Sequence, residues 1–116
     1  MGCRSEPRPP PQPVVIGWQK IASWNGRGNA QLETFPIERW DWRIQWETKN
    51  EAPDGAGAFR VEAHSADSGR TLAEPIDVQG TGHDTAYLSV QPHRFYLVVD
   101  SRNLDWSITV EEPILR

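Results

Sequence analysis

The chain has 116 residues, which is enough for one hydrophobic core and too few for two, so we expect a single folded domain. Its 12 basic and 16 acidic side chains give a formal net charge of −4, and the basic residues form no run, which argues against nucleic acid as a partner. No stretch approaches the roughly 18 apolar residues of a membrane-spanning helix. Cys3 is the one cysteine, so an intrachain disulfide is excluded.

The first 13 residues differ in composition from the rest of the chain. Residues 4–13, RSEPRPPPQP, contain proline but no other apolar residue, which predicts an extended polyproline II tether. A PxxP-type recognition ligand is the alternative interpretation of the same segment. We therefore divide the chain into a tether, residues 1–13, and a single folded domain, residues 14–116.

The first two strand patterns of the domain flank a glycine-rich turn. Residues 14–24 are rich in β-branched and aromatic side chains and have Gly17 near their middle, which predicts a bent strand. Residues 25–29, NGRGN, favour a tight turn, because Asn and Gly adopt positive φ at low cost. Residues 31–37 resume an extended pattern, in which Pro36 indicates an edge strand or a strand end.

The clearest strand pattern is residues 40–49, WDWRIQWETK. Trp40, Trp42, Ile44 and Trp46 alternate with polar side chains, so the pattern predicts one apolar face and one polar face. A strand with this much aromatic surface needs a second apolar layer to cover it. We expect Trp42 and Trp46 to form one wall of a core, and Trp40, at the start of the strand, to lie outside it.

Five more strand patterns follow, each bounded by turn residues such as Gly, Pro, Asn and Asp. They occupy residues 59–64, 71–78, 87–90, 94–100 and 106–110. In the last of them, Trp106 and Ile108 repeat the Trp-x-Ile spacing that begins at Trp42, and we expect the two pairs to form opposite walls of the core. With about eight strands and no sustained helical period, the predicted fold is all-β, an antiparallel β-sandwich that is jelly-roll-like.

The polar residues show no arrangement typical of a catalytic or metal site. The three histidines, His64, His83 and His93, lack the paired spacing of zinc ligands. A triad of Ser89, His83 and Asp84 is poorly formed, because adjacent side chains of a strand point to opposite faces. Aspartates in or near the predicted turns could bind calcium, which stays an alternative, but no spaced acidic motif groups them. We predict no enzymatic activity, no catalytic residue, no metal site and no cofactor.

Three tryptophans are the better candidates for ligand binding: Trp18, Trp24 and Trp40. Sugar rings stack on exposed indole faces, and sandwich domains present such residues on a concave face or a loop end. The alternative is that these side chains pack in the core or at its edge. Because the other three tryptophans already supply a large aromatic core, we expect one or more of the candidates to be exposed.

Several segments together carry a family resemblance. They are residues 26–29 (GRGN), 33–37 (ETFPI), 42–46 (WRIQW), 95–99 (FYLVV) and 106–110 (WSITV). Over residues 18–112 the chain resembles uncharacterised small domains of bacterial secreted proteins and lipoproteins. Its ending is more distantly similar to pre-peptidase C-terminal domains, which are accessory sandwiches on exported hydrolases. The resemblance implies a β-sandwich in the cell envelope without an established activity.

The N-terminus carries a second resemblance. Gly2 and Cys3 followed by a polar, proline-rich segment resemble the start of a mature bacterial lipoprotein, whose cysteine carries the lipid. We expect Met1 to replace a removed signal peptide, and an ordinary free cysteine is the alternative. The leading hypothesis is thus a non-enzymatic accessory or interaction domain of the bacterial cell envelope, or a secreted one, that touches the membrane through this lipid. The alternative is a carbohydrate-binding module, so the expected partner is an envelope protein or a glycan, and the oligomeric state stays open.

Overall fold

The computed structural model describes residues 14–116, so the predicted tether and Cys3 lie outside the described residues. This part of the chain forms nine β-strands, and it contains no helix that could cross a membrane. The strands are β1 (Val15–Arg27), β2 (Ala30–Gln31), β3 (Phe35–Ile37), β4 (Asp41–Lys49), β5 (Ala58–Ser65), β6 (Thr71–Gln79), β7 (Gly82–Ser89), β8 (His93–Arg102) and β9 (Asp105–Leu115).

The strands form two antiparallel sheets. In the first sheet the order is β1-β9-β4-β7, so β1 and β7 are its edges. In the second sheet β8 lies between β5 and the two short strands β2 and β3, and β6 is the far edge. Because β2 and β3 pair with different parts of β8, they behave as one interrupted edge strand.

The strand pairs are nested along the chain. β5 pairs with β6, β4 with β7, β2 and β3 with β8, and β1 with β9. The chain therefore folds like one long antiparallel hairpin whose arms wrap into two sheets, which is the arrangement of a jelly roll. This confirms the predicted all-β antiparallel sandwich, with about eight strands when β2 and β3 are counted together.

The core between the sheets is aromatic. Trp42 is fully buried, and its ring centroid lies 5.1 Å from that of Phe95 and 5.6 Å from that of Phe35. Trp106 stacks on Phe59 with the ring centroids 6.2 Å apart. Aliphatic side chains of both sheets, and Leu104 from the connection between β8 and β9, fill the remaining space. Those in the sheets are Ile37, Ile44, Val61, Ile76, Leu88, Leu97, Val99, Ile108 and Val110. Large aromatic pairs of this kind contribute most of the burial energy in a domain this small.

The expectation that the two Trp-x-Ile pairs form opposite walls is wrong. β9 pairs with β4 in the first sheet, with Trp46 directly opposite Ile108, so both pairs belong to the same wall. The facing wall comes from β5 and β8, chiefly from Phe59 and Phe95. Alternation in a sequence identifies an inward face, but it is the same for a neighbouring strand and for a facing one.

Candidate functional site

The exposed hydrophobic side chains gather at one end of the first sheet. Among residues 14–116, seven large hydrophobic side chains are exposed, and six of the seven lie at this end. The six are Val14, Val15, Ile16, Trp40, Tyr87 and Ile114. The seventh, Leu72, is in β6 of the second sheet. The six form two adjoining surfaces, an aromatic cleft on the outer face of the sheet and an aliphatic tip where β1 and β9 end.

The aromatic cleft is defined by Trp18, Trp40 and Tyr87 and has a volume of about 620 Å³. The other residues that line it are Val15, Glu38, Arg39, Asp41, Pro113 and Leu115. Its size lies within the usual range of small-ligand sites, and its composition combines flat apolar surfaces with a few charged groups. The cleft therefore has the general character of a binding site.

Trp18 and Tyr87 come from the two opposite edges of the first sheet. Trp18 is on β1 and Tyr87 is on β7, yet their ring centroids are 6.1 Å apart at an interplanar angle of 62°. They meet above the two central strands, over Arg43 of β4. The cleft thus depends on the order of the strands in the sheet and on long side chains that reach across it.

A charged and polar network supports the aromatic rings from below. The Arg43 guanidinium carbon lies 4.0 Å from the centroid of the Trp18 ring, which is a cation–π contact. Arg43 Nε donates a hydrogen bond to Glu111 Oε1 at 2.7 Å, and Gln45 Nε2 donates to the same oxygen at 3.3 Å. Thr85 Oγ1 in turn donates to Gln45 Oε1 at 3.0 Å. Because Arg43 covers one face of Trp18, this indole serves as the floor of the cleft.

Trp40 lies in the connection between β3 and β4, and its backbone is held on both sides. Glu38 N donates to Oε2 of the buried Glu112 at 3.0 Å, and Val90 N donates to the Trp40 carbonyl oxygen at 2.9 Å. The Trp40 side chain is nevertheless 62% exposed. Because the backbone around Trp40 is already held in place, binding through this indole would not have to order the connection itself.

The structure brings Trp18 and Trp40 together, but Trp24 lies on the opposite face of β1. Trp24 is half-buried against the core, with its ring centroid 5.8 Å from that of Phe35. The reason is a β-bulge between Lys20 and Ala22, which adds one residue and reverses the alternation. Trp18 and Trp24, six residues apart, would otherwise share a face.

Tyr87 is the member of the cleft that sequence reasoning missed. It is 67% exposed and lies opposite Arg43 in the pairing of β7 with β4. The available signal was its alternation with the buried Leu88, which makes Tyr87 an aromatic side chain on a solvent face. That signal cannot tell which other aromatic residues share its surroundings.

A serine, a histidine and an aspartate meet at the turn between β5 and β6. Ser65 Oγ is 2.7 Å from His93 Nε2, and Asp67 Oδ2 is 3.3 Å from the same nitrogen. A catalytic triad needs the hydroxyl and the carboxylate on different ring nitrogens, so this arrangement does not orient the imidazole for catalysis. Ser65 Oγ also accepts from Asp67 N at 3.2 Å, which is a turn-closing hydrogen bond. We assign the cluster a structural role.

A second charged cluster lies at the other end of β9. Asp105 accepts hydrogen bonds from Asn50 Nδ2 at 2.7 Å and from an Arg27 guanidinium nitrogen at 2.9 Å. The Asn50 hydrogen bond, followed by that of Arg27, holds the pKa of the Asp105 carboxyl below its ordinary value of 3.8. The cluster ties β1 and β9 to the segment that follows β4. Within residues 14–116, no group of three or more His, Cys, Asp or Glu side chains is arranged to hold a metal ion.

No protein-family model, curated protein or solved structure matches this chain. The resemblance to small domains of bacterial secreted proteins and lipoproteins therefore stays a prediction. Function is inferred from the geometry of the aromatic cleft, because a fold alone does not indicate a function.

Proposed function

We propose that this chain is a non-enzymatic accessory domain of the bacterial cell envelope and that it binds its partner through the aromatic cleft. The observation that carries the proposal is the pair Trp40 and Tyr87, two exposed aromatic side chains that border one cleft at the end of the first sheet. Exposed aromatic residues that cluster on a rigid scaffold are typical of interaction surfaces, since they bring contact area with few rotatable bonds.

A carbohydrate is the ligand that the cleft fits best. Trp40 and Tyr87 offer flat apolar faces on which the C–H groups of a sugar ring can stack, while Trp18 forms the floor. Glu38, Arg39 and Asp41 border the same cleft and supply donors and acceptors for hydroxyl groups. This combination of apolar platform and polar rim supports a short saccharide over a purely apolar ligand.

Binding is favoured over hydrolysis. Two carboxylates border the cleft, those of Glu38 and Asp41, and both residues are exposed. Asp41 Oδ1 also accepts a hydrogen bond from Ser89 Oγ at 2.7 Å. The proton donor of a glycosidase is kept in a desolvated pocket. Neither of these exposed carboxylates lies in such an environment. The acidic residues of the cleft are therefore proposed to bind hydroxyl groups.

The binding test uses the purified protein and a panel of soluble oligosaccharides and polysaccharides in isothermal titration calorimetry. Trp40→Ala and Tyr87→Ala should each weaken binding about tenfold or more, as truncation of an aromatic anchor does. The matched control is Leu72→Ala, which removes an exposed hydrophobic side chain from the other sheet and should bind normally. All three variants should melt within a few degrees of the parent, because these side chains are exposed. Equal affinity of the parent and both cleft variants, or binding to no glycan in the panel, would contradict the carbohydrate proposal.

The cell-envelope part of the proposal rests on Cys3 and is tested separately. Expression behind a bacterial lipoprotein signal peptide, with a clickable fatty-acid analogue in the medium, should label the protein through this residue. Cys3→Ser is the control and should remove the label without affecting the folded domain. If the parent protein is not labelled, the lipid-anchor proposal is wrong, and the proposal that the cleft binds a ligand is not affected.

A further inference from the structure

Two strands of the first sheet extend beyond their neighbours. β4 pairs with β9 only as far as Arg43 opposite Glu111, whereas β1 continues to pair with β9 as far as Val15 opposite Leu115. The last residue pairs between β1 and β9 therefore form a two-stranded ribbon that has no other strand of the sheet beside it. Such a ribbon has little stability of its own in water.

The end of this ribbon is aliphatic. We call Val14, Val15, Ile16 and Ile114 the apolar tip, and their exposed fractions range from 40% to 60%. Val14 N and Arg116 O, and Arg116 N and Val14 O, form the last pair of hydrogen bonds, so the tip is ordered up to its end. Several exposed aliphatic side chains on one ordered element are typical of an interaction surface.

We propose that the apolar tip inserts into the interfacial layer of a lipid bilayer. The chain enters the domain at Val14, which is a member of the tip. The chain between Cys3 and Val14 can span no more than about 40 Å even when fully extended. A lipid on Cys3 would therefore hold the tip within that distance of the membrane surface and raise its effective concentration there.

The residue types also change in a definite order away from the tip. Aliphatic side chains form its end, and Trp40 and Tyr87 follow at the rim of the adjoining cleft. This sequence of layers is that of proteins at membrane interfaces, where aliphatic side chains enter the acyl boundary and aromatic ones lie at the level of the headgroups.

The inference does not require the cleft to bind a glycan, but it draws on the proposed lipid on Cys3. The test therefore uses the full chain carrying Cys3→Ser, so that membrane binding by the tip is measured without an anchor. The protein is sedimented with large unilamellar vesicles of phosphatidylethanolamine and phosphatidylglycerol at millimolar lipid. The Cys3→Ser protein, called the background protein below, should bind the vesicles. Adding Ile16→Ser and Ile114→Ser to it should lower its partition coefficient about tenfold or more.

Leu72→Ser is the matched control, because Leu72 is exposed to a similar degree but lies in β6. It should leave vesicle binding unchanged, and circular dichroism melts should confirm that all variants are folded. Independently, brominated phospholipids should quench the fluorescence of the background protein, and Trp40→Phe should remove most of that quenching. The proposal is overturned if the background protein stays in the supernatant, or if the tip variant and the control bind equally. It is also overturned if the tip substitutions convert a dimer to a monomer in light scattering and vesicles bind neither form, since a second copy would then cover the tip.

Discussion

Trp42 and Trp106 are two buried tryptophans that differ by one hydrogen bond, and this difference allows a sharp prediction. Both lie on the inner face of the first sheet. Trp106 Nε1 donates to the Gly28 carbonyl oxygen at 3.0 Å, whereas Trp42 Nε1 is buried and has no hydrogen-bond partner within residues 14–116. Replacing each residue by phenylalanine removes the same atoms from the core but changes the hydrogen bonding in opposite directions.

The expected free energies of unfolding follow from three contributions. Each Trp→Phe substitution leaves a similar small cavity and loses similar apolar burial, together roughly 1–2 kcal/mol. At Trp106 the lost hydrogen bond adds about 1 kcal/mol, so we expect a destabilisation of about 2–3 kcal/mol. At Trp42 the substitution removes a buried donor whose unsatisfied state costs about 1–3 kcal/mol, so the net destabilisation should be below about 1 kcal/mol.

The measurement is urea unfolding followed by far-ultraviolet circular dichroism, because both substitutions alter the tryptophan fluorescence itself. Equal m-values for the parent and the two variants would show that the unfolded states are comparable. A destabilisation by Trp42→Phe that equals or exceeds that of Trp106→Phe would refute the reasoning, since both substitutions remove the same atoms from buried sites and differ in the hydrogen bond.

Two further predictions concern titration and close packing. The pKa of Asp105 is lowered, first by the Asn50 hydrogen bond, so its contribution to stability is present above about pH 4 and is lost as the pH falls through the lowered value. Asp105→Asn should therefore flatten the decline in the urea midpoint between about pH 4 and pH 2, and an unchanged slope would contradict this. A Cβ atom at Gly26 would lie 2.8 Å from the Trp106 ring, so Gly26→Ala should lower thermal stability by about 1–3 kcal/mol. Gly82→Ala, whose Cβ meets no atom within 4 Å, is the control and should change it by less than about 0.5 kcal/mol.

The inward and outward faces of individual strands could be predicted from the sequence. In β4, Trp42 and Ile44 are buried while Gln45 is exposed, as the alternation indicates. Trp40 precedes the strand and is exposed, as expected. The two-residue period is a local property of an extended backbone, so it survives whatever the strand pairs with. Fold class followed from the same local signals.

Strand neighbours could not be predicted, because pairing is a property of the whole chain. Trp106 was expected across the core from Trp42, but β9 lies beside β4. Pro75 lies within β6, and the pairing of β6 with β5 shifts register around it, with Val61 opposite Ile76 and Ala63 opposite Ala73. Pro75 is tolerated there because β6 is the edge of the second sheet, where a missing backbone N–H can face outward.

The candidate site was only partly predictable for the same reason. Trp18 and Tyr87 are far apart in sequence and lie on opposite edges of one sheet, so their meeting depends on two strands between them. The bulge after Lys20 determines which tryptophan of β1 faces outward, and the local composition does not predict that extra residue. Sequence alone therefore identified two members of the cleft, added Trp24 from the other face, and missed Tyr87.

Core and cleft are mechanically linked through β4, and this determines how binding data must be interpreted. Trp42 anchors the strand from inside, and the next residue, Arg43, supports the Trp18 indole from outside. A substitution that shifts β4 by a fraction of an ångström would move the floor of the cleft, since packed cores transmit strain. Loss of binding in a Trp42 variant would thus report on the support and not on a contact. Only exposed variants with unchanged unfolding free energy, such as Trp40→Ala, can assign the binding surface itself.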